Sequence, residues 1–427
     1  MNNHAEKISI DTLPSTSITG SLFHPPKKNE HHEISTRRYD IDWLRSIAFI
    51  LLIFYHIGMY YVADWQWHVK SAFQSDALKH LMLIVNPWRM PLIFLLSGMA
   101  LSLVEPKMSW RRLFKMRLLR VFFPLLIGMY LIVPPQLYIE LMSKEGLSAS
   151  YLEFMRFYVT ITTERYTNHQ HGSLGLLTWN HLWYLAYLWC YTLVYLGLKP
   201  ALTHIHWGKR PGKYSPALLF FILVCALAVY KVLLAPNYPQ NYAVAGDWYS
   251  HALYFTIFLA GYTLAKQKST WDKIIRYRSG FAALAITHAL PFLALANGSV
   301  ENWLRHSGMN NERTMTLIAH HLFMPWVSSV YTLACIMTAV AYAGAYLNKP
   351  NKSLRYMNEA ILPCYILHQT VIIILTAALS CLSLGPIMEP LIMIALTFAI
   401  CATLYPLIKR NNITRFIFGM KLKAVST

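Results

Sequence analysis

Residues 42–56 read DWLRSIAFILLIFYH, and nine consecutive apolar residues, Ile47 to Tyr55, separate an arginine from a histidine. The apolar run continues past His56 to about residue 64. A helix rises 1.5 Å per residue and a hydrocarbon core is roughly 30 Å thick, so about 20 such residues cross it. Backbone N–H and C=O groups find no partners in lipid, so the run is read as a helix and not as an open strand. Nine further runs follow, giving spans near 42–64, 83–104, 119–141, 176–198, 215–235, 248–266, 279–297, 316–346, 359–380 and 386–408. The eighth is long and is read as tilted or broken.

The composition points the same way. Of 427 residues 56% are apolar and 13% charged, with a mean hydropathy of +0.35. Soluble domains carry about 25% charged residues, so this chain lacks the polar surface that a soluble enzyme of its length needs. Gly 18, Pro 21 and Cys 6 exclude collagen-like repeats, disordered scaffolds and small disulfide-rich secreted folds. The fold class is therefore all-α, a polytopic membrane bundle of about ten transmembrane helices.

The net charge of +19 would suggest nucleic acid in a soluble protein. Sorted by connection, however, 28 of the 38 Lys and Arg fall in the two tails and the even-numbered connections, and seven fall on the opposite side. Three more, Arg45, Arg89 and Lys231, lie within spans. Cytoplasmic loops collect Lys and Arg, so both termini are read as cytoplasmic and no nucleic-acid partner is required. Residues 1–38 are polar, lack a signal-peptide core and are read as a disordered cytoplasmic tail, with the first span as an uncleaved anchor. Residues 39–410 form the transmembrane domain and 411–427 a basic cytoplasmic tail.

Cys190, Cys225, Cys335, Cys364, Cys381 and Cys401 lie in or beside spans without CxxC spacing. They are read as small packing residues, with no disulfide framework and no metal. No Walker, GxGxxG, GxSxG or HExxH pattern occurs, and no internal repeat of the kind found in many secondary transporters.

Ionisable groups inside a span are expensive, so each is a functional candidate by default. Arg45 and His56 are eleven residues apart, about 16.5 Å and almost three turns along a helix, and so share a similar face. Arg45 falls near the cytoplasmic boundary and His56 near mid-depth. Two readings of the pair stay open: a snorkelling arginine with a carbonyl-bonded histidine, or a working pair. Arg89 sits between Pro87 and Pro91 in NPWRMPLIFLLSGMAL, in the outer third of the second span. His181 lies near the outer boundary beside Trp179, Trp183 and Tyr184, where an interfacial aromatic belt is the alternative. Glu359 is near the cytoplasmic end of the ninth span, and His368 and Gln369 are near mid-depth. Arg111, Arg112 and Lys115 read as an ordinary positive-inside loop, whereas Arg117 and Arg120 are spaced i, i+3 on one helix face. His251, His320 and His321 read as packing or capping residues.

Five segments in this order resemble the membrane acyltransferase 3 family: Arg45 to His56, RMPLIFLLSG (Arg89–Gly98), RLLRVFFP (Arg117–Pro124), HLWYL (His181–Leu185) and NEAILPCYILHQ (Asn358–Gln369). Together they cover almost the whole chain outside the N-terminal tail. DWLRS, FYHIGMYY and WQWHVKS look most like its glucan biosynthesis protein C subgroup, whose members attach succinyl groups to periplasmic glucans. The resemblance implies an O-acyltransferase of the bacterial inner membrane, moving an acyl group such as succinyl or acetyl from cytosolic acyl-CoA to a hydroxyl of an extracytoplasmic glycan. It implies that His56 is the essential histidine, Arg45 its partner, and Arg117 and Arg120 the basic pair facing the donor.

On this reading Arg45, Arg117 and Arg120 meet the donor phosphates, with Glu359 at the same site. Arg89 stabilises an oxyanion or orients a carboxylated acyl chain, and is grouped with His56 and Arg45 as catalytic. Neutral imidazole, with a pKa ordinarily near 6.5, suits His56 as general base or as acyl carrier, and both routes stay open. His181, Trp183, His368 and Gln369 are the acceptor-binding candidates. The expected partners are the bilayer, acyl-CoA as donor substrate and a glycan, with no bound cofactor. A transporter or flippase for an anionic or sugar solute is the competing class. A non-catalytic scaffold would leave the cost of Arg89 and His56 unexplained.

Overall fold

The fold is built from helices whose starts are marked by short polar side chains. Ser75, Ser109, Ser150, Ser215, Asp247, Asn351 and Asn411 each accept a hydrogen bond from a backbone N–H in the first turn that follows. These caps satisfy donors that a helix leaves open at its N-terminus. The computed structural model describes residues 37–160, 175–204, 215–307 and 311–424. Residues 38–427 form one compact unit.

The first helices are α1 (Tyr39–Tyr61), α2 (Asp76–Val104), α3 (Trp110–Arg117), α4 (Phe123–Leu131), α5 (Pro134–Glu145) and α6 (Tyr151–Val159). Next come α7 (Trp183–His204), α8 (Pro216–Leu233), α9 (Trp248–Lys266), α10 (Lys268–Arg276), α11 (Arg278–Ala296) and α12 (Ser299–His306). The last are α13 (Glu312–Ile318), α14 (Met324–Tyr346), α15 (Lys352–Leu379), α16 (Gly385–Arg410) and α17 (Asn412–Ile417). An isolated β-bridge pairs Val62 with Ser75.

Eight helical runs among the described residues are long and apolar enough to cross a membrane: Tyr39–Tyr61, Asp76–Lys107, Trp110–Glu145, Pro216–Leu233, Arg278–Ala296, Arg313–Tyr346, Lys352–Leu382 and Gly385–Arg410. This differs from the ten expected. The segments expected at 176–198 and 248–266 are helical as α7 and α9, but both are rich in Tyr and Trp, which lowers their apolar character. Two of the eight runs change helix type midway. A π-helical turn over Leu118–Phe122 joins α3 to α4, and another over Ala319–Phe323 joins α13 to α14. The latter lies in the eighth expected run, which stays helical over Arg313–Tyr346.

Burial sorts the helices. Windows of α14 and α15 are the most enclosed of the eight, and those of α8 and α11 the least. On α11, Ile286 is 71% and Leu290 75% exposed, a surface that hydrocarbon solvates and water does not. At the centre, α1 packs against α2, α14 and α15, and α15 also meets α5 and α16.

At the α2–α9 crossing the two backbones approach closely. A Cβ on Gly98 would lie 1.9 Å from the Phe258 carbonyl oxygen, and one on Gly261 would lie 2.0 Å from that of Leu95. Small residues allow such backbone approach where no solvent drives helices together. Gly98→Ala and Gly261→Ala should each destabilise the fold by about 1–3 kcal/mol through overpacking, read as a lower thermal midpoint in lipid nanodiscs. Gly197, with nothing within 4 Å of its Cβ position, is the control, and Gly197→Ala should leave the midpoint unchanged or raise it.

Candidate functional site

Two histidines from different helices meet at the centre of the bundle. His56 on α1 and His368 on α15 lie with Nδ1 of the first 2.8 Å from Nε2 of the second. The rings are nearly parallel, 5° apart, with centroids separated by 5.0 Å. His368 is fully buried, and His56 is partly so. The second nitrogen of His368, Nδ1, is 2.7 Å from the Tyr365 carbonyl oxygen, one helical turn earlier. A carbonyl only accepts, so Nδ1 of His368 carries the hydrogen. In the neutral ring its Nε2 then accepts, and His56 donates from Nδ1. The tautomers so assigned leave the His56 Nε2 lone pair without a hydrogen-bond partner among the described residues. Phe49 and His181 meet the His368 ring edge-on, at 5.9 and 5.3 Å between centroids.

A layer of amides surrounds this pair. Buried His181 donates from Nε2 to the Ile366 carbonyl at 3.0 Å and accepts at Nδ1 from Gln136 at 3.2 Å. Gln136 also donates to the Thr370 hydroxyl at 2.6 Å. Its carbonyl oxygen accepts from Asn180 at 2.9 Å and from Gln369 at 3.2 Å. The same two amides, at 3.2 and 3.1 Å, donate to Nε2 of His68. The other nitrogen of His68 pairs with Glu140, whose second oxygen takes the Lys144 ammonium at 2.8 Å. Asn180 holds its place with φ of +42°, in the left-handed region that asparagine tolerates better than most residues.

Arg89 enters from α2. Its guanidinium lies 3.3 Å from the centroid of the Tyr55 ring, close enough to the neighbouring His56 for electrostatic interaction. It is 9% exposed, and its Nε and Nη1 have no hydrogen-bond partner among the described residues. The Tyr55 hydroxyl donates to Asn86 at 2.9 Å, and Asn86 and Arg89 both line a cavity of about 120 Å³.

A second basic group forms where α1 begins. Arg117 lies within electrostatic reach of Arg45, Arg120 and Tyr184, and its buried Nε lacks a hydrogen-bond partner. Arg45 is exposed and does not reach His56. The π-helical turn that starts at Leu118 takes Arg120 out of the expected i, i+3 alignment with Arg117, and Arg120 comes near Arg415 of α17. Tyr184 bonds Ser97 at 2.5 Å and packs edge-on against Tyr365, 5.8 Å away, so aromatic rings lead from the arginines to the histidine pair.

The structure therefore redistributes several expected roles. His181 is not at an open outer mouth, because both ring nitrogens are taken inside the bundle. His368, expected to bind acceptor, is the partner of His56, and Gln369 belongs to the amide layer. Trp183 spends its faces on the protein itself, at 4.4 Å from Tyr242 and 5.5 Å from Tyr254. Glu359 is tied to Lys409 at 2.7 Å, Tyr405 at 3.2 Å and Arg355 at 3.7 Å, so its charge is already matched. His251 donates to the Val244 carbonyl at 2.7 Å and stacks on Tyr187, as a packing residue does. His320 pairs with Glu301. Four polar residues were not singled out from the sequence: His68, Gln136, Glu140 and Asn180. His68 stands in the conspicuous WQWHVKS stretch, which was the available signal, but its separation from Glu140 is 72 residues and no local periodicity exposes it.

Comparison with known proteins follows this geometry. Residues 38–406 match the acyltransferase 3 family, described as an acyltransferase domain. Among curated proteins, glucans biosynthesis protein C of Salmonella paratyphi B and of Salmonella heidelberg are each 27% identical over 215 residues, covering 48% of this chain and 51% of theirs. The chain thus spans about half the length of the curated relatives it matches. No solved structure matches it. With its family-matched region running from the start of α1 into the last turns of α16, this multi-pass membrane chain belongs to the acyltransferase 3 family.

Proposed function

We propose that the chain is a membrane O-acyltransferase that moves an acyl group, succinyl or acetyl, from cytosolic acyl-CoA to a hydroxyl of an extracytoplasmic glycan, with glucan as acceptor. The observation that carries this reading is the unused Nε2 of His56, oriented from behind by His368. The names of the glucans biosynthesis proteins support the choice of acceptor.

The topology we assign has ten spans with both termini in the cytoplasm. It counts α7 and α9 with the eight, since 22 and 19 residues reach about 33 and 28 Å at 1.5 Å per residue. The Lys and Arg distribution supports this orientation and a bacterial inner membrane. Arg45, Arg117 and Arg120 then face the cytoplasm and take the phosphates of the donor, and the packed rings of Tyr184 and Tyr365 lie between them and the histidine pair.

In the transfer, Nε2 of His56 takes the proton of the sugar hydroxyl while that oxygen attacks the thioester carbonyl. Arg89 supplies positive charge beside the tetrahedral oxyanion. Collapse breaks the C–S bond, and the departing thiolate takes the proton back from His56. In the acyl-carrier route the Nε2–acyl bond forms as the C–S bond breaks and the thiolate leaves; when the sugar oxygen then takes the acyl group, the N–acyl bond breaks and the hydroxyl proton goes to the released thiolate. In either route His368 accepts from Nδ1 of His56 and holds the ring in the productive tautomer, the role that a carboxylate fills in other triads.

In proteoliposomes given labelled succinyl-CoA or acetyl-CoA and mixed glucans, His56→Ala should lower labelling by about 10²–10⁴-fold, the usual contribution of a general base. Equal labelling by wild type and variant would remove His56 from the mechanism, and solute uptake without acylation would favour the transporter class. Nitrogen NMR of histidine-labelled protein should find Nδ1–H on both His56 and His368. An Nε2–H on His56 would refute the assigned relay. Loss of a charge-assisted hydrogen bond is worth about 1.5–3 kcal/mol, so Arg117→Ala should raise the KM for acyl-CoA by about tenfold or more, with little change in kcat.

A further inference from the structure

The cavity beside Arg89 has a lining whose chemistry is one-sided. Arg89 and Lys231 both face it, from α2 and from the last turn of α8, with Asn86, Gln240, Tyr242 and Tyr254 among the other walls. No Asp or Glu stands among the described residues that line it. Two of the three guanidinium nitrogens of Arg89 lack hydrogen bonds although the residue is nine-tenths buried. Lys231 donates to the Ser328 hydroxyl at 2.6 Å and pairs with no carboxylate among the described residues. Ser328 is in turn anchored on the Met324 carbonyl at 2.6 Å, so the amine is held in place with no carboxylate beside it among the described residues.

A fixed arginine charge and a lysine amine at one cavity, with donors unsatisfied and no carboxylate among the described lining residues, form a site that an anion would complete. A neutral sugar would ask for acceptors as well as donors, and this lining offers an excess of donors. A cation is excluded by charge. The size fits as well: water occupies about 30 Å³ per molecule in the liquid, so a cavity of about 120 Å³ has room for a small oxyanion with a few attached carbons.

We propose that this cavity binds a small oxyanion, a carboxylate or a phosphate group, held between Arg89 and Lys231. The Arg89 guanidinium rests on Tyr55 and is within electrostatic reach of His56, so the anion is held on the Arg89 side of the histidine pair. It is therefore a permanent charge on one of the molecules brought to that pair, either a second carboxylate on the acyl group or a phosphate on the acceptor. Lys231 is the residue that selects for that charge. The inference extends the transferase reading, but the binding measurement below does not depend on observing transfer.

The test is calorimetric titration of the full chain in phosphatidylcholine nanodiscs with sodium succinate, neutral succinamide and inorganic phosphate. Succinate or phosphate should bind and succinamide should not. Binding of succinate in preference to phosphate assigns the charge to the acyl group, and the reverse order assigns it to a phosphorylated acceptor. Lys231→Met should weaken binding at least tenfold, and Lys231→Arg should retain it. Lys79→Met, which alters only the surface pair with Asp64, should leave it unchanged. Equal binding of succinamide and succinate would overturn the proposal, as would unchanged affinity in both Lys231→Met and Arg89→Gln. Oxyanion binding without transfer from any donor would sink the transferase reading and leave this site standing. Transfer without oxyanion binding would do the opposite.

Discussion

The hydrogen bond from Nδ1 of His368 to the Tyr365 carbonyl is the contact on which the rest of the centre depends. It costs the fold little, since a residue three positions along a helix already lies over that carbonyl, and it fixes which nitrogen of His368 can accept. That choice passes to His56 through a single 2.8 Å contact between α1 and α15. Without it, either tautomer of His56 would be available, and the nitrogen turned away from His368 could as well be the protonated one. The carbonyl of one helix thus sets the chemistry of a side chain on another.

Around this relay the molecule separates polar groups that are satisfied from those that are not. The amides of Gln136, Asn180 and Gln369, with His68 and Glu140, close on one another, so that burial is compensated at each step. Networks of this kind are costly when half made and rigidifying when complete. Arg89 and Arg117 are the arginines among the exceptions, each with at least one buried nitrogen unmatched among the described residues. A guanidinium cannot shed its proton to escape that cost, so the charge remains available to an anionic partner.

The close crossing of α2 and α9 at Gly98 and Gly261 serves this arrangement mechanically. Arg89 and Gly98 lie on the same helix, nine residues apart, so the depth at which α2 docks on α9 sets where the guanidinium meets Tyr55. The prolines at 87 and 91 each remove one backbone donor around the arginine. The Ile84 carbonyl in this stretch accepts from the Trp88 indole and the Tyr331 hydroxyl, both at 2.8 Å.

Much of the helical framework and several key side chains were legible in the amino-acid sequence. Apolar runs of membrane-spanning length report a solvent, because hydrocarbon forbids unpaired backbone groups and rejects most charge. For the same reason Arg45, His56, Arg89 and His368 stood out where they interrupted such a run, and Arg117 stood out with Arg120 where the third run begins. Helix type at Leu118–Phe122 was not legible, since a π turn is decided by packing and leaves no periodic trace. Nor were the partnerships. His56 finds His368 across 312 residues, and His68 finds Glu140 across 72, because the helices carrying them pack side by side, and no local spacing encodes which face meets which. The sequence by itself determined that this is a helical membrane chain with expensive polar residues at given depths. Only the tertiary structure decided which of them neutralise one another and which, like Arg89, were left with bonds to make.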